Sequence, residues 1–174
     1  KGDYIYETLK EKGFQVKGIL LTHGHFDHIW GVNRLKELSG APLYAYEAEK
    51  VLCEDAVTNV SDQVGRPYTV SPDRYLQDNE EITIADMTCR LIATPGHTVG
   101  SCCYYFAEEG ILIAGDTLFQ DSVGRTDLAT GSMGALVRSV KEKLFVLPEE
   151  TKVYPGHGEA TTIGHEKKYN PFLA

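Results

Sequence analysis

The sequence predicts a layered α/β sandwich, with helices covering the outer faces of β-sheets. Three observations carry that reading. Short apolar runs of strand length recur along the chain, amphipathic stretches at helical spacing lie among them, and four of the strand-like runs end in turns bearing histidine or aspartate. Taken in order, Asp3 is placed to cap a short helix carrying Ile5 and Leu9, which Gly13 closes. Residues 17–21 then form a strand that ends at His23-Gly24-His25-Phe26-Asp27-His28. Ile29, Val32, Leu35 and Leu38 recur at helical spacing up to Gly40 and predict one helix. Residues 42–46 read as a strand, 47–53 as a short helix, and 54–72, with Gly65, Pro67 and Pro72, as an irregular polar stretch able to act as a flap over a site. Between Glu80 and Phe106 the pattern turns to β: Ile82 and Ile84 alternate, then Cys89 to Ala93 and Cys102 to Phe106 follow as strands. The Glu108-Glu109-Gly110 turn leads into the strand Ile111 to Ala114. From Gly131 onward, Met133, Leu136, Val137, Val140 and Leu144 share one helical face that Pro148 ends, and residues 152–154 give a last strand.

At 174 residues the chain reads as one domain, 1–174, large enough to bury a core without staples. Its formal charge of -8 repels polyanions and anionic bilayers, which argues against nucleic acid or a membrane as partner and favours divalent cations. No apolar run approaches the length of a membrane span and the N-terminus lacks a signal-peptide pattern, so a cytoplasmic location is expected. Cys53, Cys89, Cys102 and Cys103 show no C-x-x-C spacing and read as small buried hydrophobes. The first residue is Lys1, which predicts processing or truncation.

Three imidazoles and a carboxylate within six residues are a concentration that a folded core rarely needs. Neutral imidazole and carboxylate are the donors that zinc and iron take in nitrogen and oxygen sites. In a turning segment His23 and His25 can point one way while Asp27 and His28 open the next element, so one loop can serve two ions. A tag remnant would sit at a terminus and would not alternate with glycine and aspartate after a strand. Further along, Thr94-Pro95-Gly96-His97 and Tyr154-Pro155-Gly156-His157 repeat a Pro-Gly-His turn, in which proline fixes φ and glycine allows a sharp bend beneath the ring. Gly115-Asp116 follows a third strand; alone it would read as a cap, but beside five histidines and Asp27 it reads as a ligand. His165 lies in a charged, surface-like stretch and is assigned no metal.

The motif His23-x-His25-x-Asp27-His28, followed in order by His97, Asp116 and His157, resembles the metallo-β-lactamase superfamily. Gly124-Arg125-Thr126-Asp127-Leu128, the Gly156-His157-Gly158-x-x-Thr161-Thr162-Ile163-Gly164 ending and Asn170-Pro171-Phe172 are similar to short glyoxalase II-like hydrolases. The resemblance spans Gly18 to Phe172. It implies a four-layer αββα sandwich with the site along one edge of two sheets. It also implies that His23, His25 and His97 hold one metal ion, that Asp27, His28 and His157 hold a second, and that Asp116 bridges them. The cofactors expected are two divalent ions, zinc first, with iron or manganese able to bind the same donors. The family adds N-terminal strands ahead of the first helix read here; their absence predicts an exposed sheet edge, impaired stability, and strand exchange or a homodimer. Larger relatives also carry a helical C-terminal domain that grips glutathione; none is expected within residues 1–174.

The activity so implied is hydrolysis of a small-molecule thioester, such as S-lactoylglutathione or a conjugate of another thiol, by a hydroxide bridging the two ions, with Asp27 as the catalytic residue that orients it. A thiolate leaves without a strong general acid. Arg125 and Asp127 lie on a Gly-flanked loop, where a substrate-facing role for Arg125 stands beside a plain local ion pair. Two alternatives remain: a persulfide dioxygenase with a single iron, and a truncated metal-binding domain without catalysis. Nothing in the sequence selects a β-lactam.

Overall fold

Residues 1–174 are described by a computed structural model. Three hydrophobic clusters separate four layers of secondary structure, and residue alternation along the strands decides which cluster each side chain joins. The first sheet has the order β1-β2-β3, all parallel, from β1 (Ile19–Leu20), β2 (Leu43–Tyr46) and β3 (Arg74–Leu76). Leu43 and Ala45 of β2 pack with Leu21, Ile29, Val32 and Val70 beneath α2 (Phe26–Ile29) and α3 (Val32–Ser39). Tyr44 and Tyr46, on the opposite face, pack toward the second sheet.

That second sheet has six strands, β4 (Glu81–Ile84), β5 (Met87–Ala93), β6 (Cys102–Phe106), β7 (Ile111–Gly115), β10 (Lys152–Pro155) and β11 (Thr161–Thr162), in the order β11-β10-β7-β6-β5-β4. Cys89, Leu91, Ala93, Cys102 and Tyr104 face the first sheet, whereas Ile92, Cys103, Tyr105, Leu112 and Ala114 face outward. The outward set is covered by α5 (Met133–Ser139) and α6 (Ile163–Tyr169), through Leu136 and Ile163 among others. Between β7 and α5 a hairpin of β8 (Leu118–Phe119) and β9 (Ser122–Val123) closes one end of the layer. No helix is long and apolar enough to cross a membrane.

Strand direction positions the site. β10 runs parallel to β7, while β5, β6 and β7 alternate antiparallel, so β5, β7 and β10 all point the same way and end at one edge. The first sheet is tied to that edge where Cys102 N–H donates to the Thr22 carbonyl at 2.9 Å and the Tyr104 hydroxyl donates to the Leu21 carbonyl at 2.8 Å. Beyond the reach of the three-stranded sheet, the register partners Ile113 of β7 and Tyr154 of β10 stay 37% and 41% exposed. β1 is paired on one side only.

Several local expectations are corrected. Asp3 does not cap α1 (Gly2–Glu11): Lys1 takes the cap position, and Asp3 lies in the first turn paired with Arg34 at 2.8 Å. Only Ile19 and Leu20 of residues 17–21 are laddered. The helix expected across 29–39 is two, α2 and α3, because the chain turns at Trp30-Gly31, where Gly2 of α1 packs too closely for any side chain. The 47–53 helix forms as a 3-10 turn (Glu47–Glu49) running into α4 (Lys50–Cys53). Residues 54–72 are irregular but are no flap: Asn59 and Ser61 are buried, Asn59 donates to the Leu52 and Tyr68 carbonyls, and its own carbonyl accepts from Phe26 N–H. The stretch therefore buttresses the histidine loop from behind. The last long helix continues past α5 as a π-helical turn, Val140–Leu144. The charged stretch around His165 is α6, capped by Thr162, whose Oγ1 accepts from His165 N–H at 3.1 Å. All four cysteines are buried and free.

Candidate metal centre

Each of the seven predicted donors stands at or just after a strand end on the common edge. His23 and His25 follow β1, His97 follows β5, Asp116 follows β7 and His157 follows β10; Asp27 and His28 are in the first turn after His25, on α2. The approach of β7 to the histidine loop needs glycine at 115: its φ is +51°, and a Cβ there would overlap the Thr22 side chain.

The seven side chains converge on Asp116 in two groups that overlap where the His23 and His28 ring centroids lie 4.0 Å apart. In one, His25 Nδ1 lies 2.9 Å from His97 Nε2, and the His23 ring centroid is 5.1 Å and 4.7 Å from those of His25 and His97. In the other, His157 Nε2 lies 3.2 Å from Asp27 Oδ2 and 3.3 Å from His28 Nε2. Asp116 reaches both, with Oδ2 at 3.6 Å from His97 Nε2 and 3.5 Å from His157 Nε2, and Oδ1 at 3.4 Å from His28 Nε2. Donors bound tetrahedrally at about 2.0–2.1 Å stand about 3.3 Å apart, the middle of this range. His23 Nε2 and Asp116 Oδ1 are also buried without a hydrogen-bond partner, which is costly unless a cation completes them. The donor set fits a pair of metal ions, and three- and four-donor groups of this kind suit zinc, iron or manganese.

The surroundings keep the imidazoles of the first group in the form that binds metal. Burial pushes His25 down to about 4, helped by the charge of His97, and pushes His23 well below and His97 below the usual imidazole value. His97 Nδ1 donates to the Arg125 carbonyl at 2.7 Å, which fixes the tautomer and leaves Nε2 to face the site. At His28, burial opposes the charged form, but the Asp116 carboxylate 3.4 Å away, with Asp27 beside it, outweighs burial and raises the pKa.

A cavity of about 420 Å³ opens onto the donors, a volume suited to a small molecule. Besides the donors, it is lined by Phe26, Phe119, Ser122, Val123, Arg125 and Leu128. Arg125 thus reaches the place expected of it, but its guanidinium is exposed and paired with Asp127 at 2.7 and 2.9 Å, and its main chain is what touches a donor. Asp127 does not line the cavity.

The sequence reading missed Glu49, 1% exposed, which accepts from Gly24 N–H, Gly100 N–H and the Thr98 hydroxyl. Burial pushes its carboxyl up to about 7, against the pull of those three donors. The signal available was position: Glu49 shares a helical face with Leu52 and Cys53, three and four residues on, both wholly buried.

The chain matches the profile of the metallo-beta-lactamase superfamily over residues 1–157. It is 40% identical over 175 residues to a probable metallo-hydrolase, YqgX, of Bacillus subtilis, covering 99% of this chain and 83% of that protein. It is 31% identical to the hydroxyacylglutathione hydrolase GloC of Haemophilus influenzae, covering 99% and 83%. Among solved structures it is similar to the B3 metallo-beta-lactamase BLEG-1 (TM-score 0.94, 40% identity, 99% and 84% covered) and to a di-iron-bound form of TTHA1623 (TM-score 0.88, 34% identity, 99% and 85% covered). Fold, donor order and relatives agree: the chain belongs to the metallo-beta-lactamase superfamily.

Proposed function

We propose that this metallo-hydrolase cleaves thioesters of small thiols, such as S-lactoylglutathione or a conjugate of another thiol, with His23, His25 and His97 holding one ion, Asp27, His28 and His157 a second, and Asp116 shared. The observation that carries the reading is the convergence of seven donors into two groups around one aspartate, beside a cavity of small-molecule size. Bound there, two divalent ions supply Lewis acidity and a water acidic enough to attack at neutral pH. The protein's own groups do the rest. Asp27, whose Oδ2 lies 3.2 Å from His157 Nε2 at the cavity mouth, accepts a proton from the attacking water and orients it. Phe26, Phe119, Val123 and Leu128 exclude bulk water from the acyl group, and Arg125 meets the polar end of the substrate.

The leaving group separates thioesters from amides. A thiolate departs unprotonated, whereas an amine needs a proton, which among the lining residues only Asp27 could return, so a thioester makes the lesser demand on the site. β-Lactam hydrolysis is a second reading, favoured by the 40% identity to a structure described as a B3 metallo-beta-lactamase. Elemental analysis with three assays decides. We expect about two ions per chain and thiol release from S-lactoylglutathione that stops on chelation and returns with metal. Cleavage of a chromogenic cephalosporin without thiol release would install the second reading; one iron per chain with oxygen uptake on a persulfide would replace both.

A further inference from the structure

Glu49 lies outside the seven donors, yet it joins the two chain segments that carry the first donor group. Its Oε1 accepts Gly24 N–H at 2.7 Å, its Oε2 accepts Gly100 N–H at 2.9 Å, and the Thr98 hydroxyl is 2.9 Å from both oxygens. Gly24 separates His23 from His25, and Thr98 is the residue after His97. Ser101 sets the direction of this network: its Oγ accepts Thr98 N–H at 3.0 Å and lies 2.7 Å from the Thr98 hydroxyl. Since Thr98 has one hydroxyl proton, Ser101 donates to Thr98 and Thr98 donates to Glu49.

A carboxylate removed from water is costly unless donors surround it. The chain meets that cost where two irregular loops have no ladder between them. Packing leaves no slack: a Cβ on Gly100 would overlap the Glu49 backbone, and one on Gly24 would stand 2.9 Å from Leu52 Cβ. Each carboxylate oxygen faces a different loop, so the separation of the loops is fixed by the width of one carboxylate.

We infer that Glu49 is the positioning residue of the first donor group, setting the spacing of the His23/His25 loop against the His97 loop and so the affinity of the ion held between them. The inference rests on the metal reading above. Removal of a group that orients metal ligands typically lowers affinity about 10–100-fold. In Glu49→Gln the side chain keeps its size but turns an amide N–H₂ toward Gly24 or Gly100, leaving one backbone N–H without an acceptor.

The test measures zinc binding to the chelator-stripped protein at pH 8 by competition with a chromophoric chelator, with cobalt(II) absorption reporting the coordination of each ion as it loads. The expected result is that Glu49→Gln loses about 10–100-fold in affinity for one ion, with a changed cobalt spectrum at that site, while the other ion binds as in the wild type. An equal loss at both sites, or a lowered melting temperature with both affinities intact, would make Glu49 merely structural. If Glu49→Gln does not fold, Thr98→Val removes one donor and must give the same selective loss, smaller in size; unchanged affinities there overturn the inference. Wild-type protein that binds no ion defeats the metal reading together with this one, whereas two ions bound equally by wild type and variant defeat this one alone.

Discussion

Arg125 serves the site through two different atoms. Its carbonyl orients His97, a role any residue can fill, and its guanidinium lies exposed at the cavity rim against Asp127. Arg125→Ala therefore leaves metal content and melting temperature unchanged, and an exposed ionic contact with substrate, about 1 kcal/mol or less, raises KM by up to about fivefold at constant kcat. Steady-state kinetics beside metal analysis checks this; an unchanged KM would confine the side chain to its local ion pair. The seven side chains that converge at the edge were legible in the sequence because histidine and aspartate immediately after apolar strand runs have no packing purpose. Glu49 was not, because a glutamate in a short helix next to Lys50 looks solvated, and only the folded chain brings Gly24, Thr98 and Gly100 around it.

At the level of elements, the end of β5 is anchored before it releases the His97 turn. Asp78 accepts from Ala93 N–H at 2.8 Å and from Lys143 Nζ at 2.8 Å, and Lys143 also donates to the Ala93 carbonyl. Burial alone would raise the Asp78 pKa, but Lys143 and the Ala93 amide outweigh it and hold it below its ordinary 3.8. A folded-state pKa below the unfolded one means that the stabilisation is present above about pH 4 and fades as pH falls through the depressed value. Asp78→Ala is expected to lose about 1–2 kcal/mol at pH 7 by denaturant unfolding, with the gap to wild type narrowing as the carboxyl is protonated in acid. A gap independent of pH would assign the loss to packing. The strands with clear alternation, β2, β4, β5, β6 and β7, were readable. β3 and β11, three and two residues long, carry too short a pattern. α6 was hidden because its buried face is built from Ile163 and a carboxylate, Glu166, satisfied by Asp121 N–H, the Thr161 hydroxyl and Asn170 Nδ2.

For the molecule as a whole, a layered α/β sandwich was legible from strand runs and amphipathic helices and its four-layer order from the family resemblance, but the extent of each sheet was not, since coverage of a face depends on where distant strands land. The three-stranded sheet leaves Ile113 and Tyr154 in solvent, and β1 keeps a free edge. An unpaired edge beside exposed apolar side chains is a template for pairing with another copy. Sedimentation of the 174-residue chain is expected to show concentration-dependent association that Ile113→Lys with Tyr154→Lys abolishes; a monodisperse monomer in the unsubstituted chain would contradict this. A different consequence follows from how the cavity is walled. Apart from Phe26, every lining residue that is not a donor comes from one contiguous stretch, Phe119 to Leu128, whereas the donors hang from the ends of four separate strands. Donors and lining thus occupy largely separate parts of the chain: exchanging the side chains of that single stretch, with the Arg125 carbonyl kept on His97, is expected to change which molecule fits the cavity while the donors stay in place.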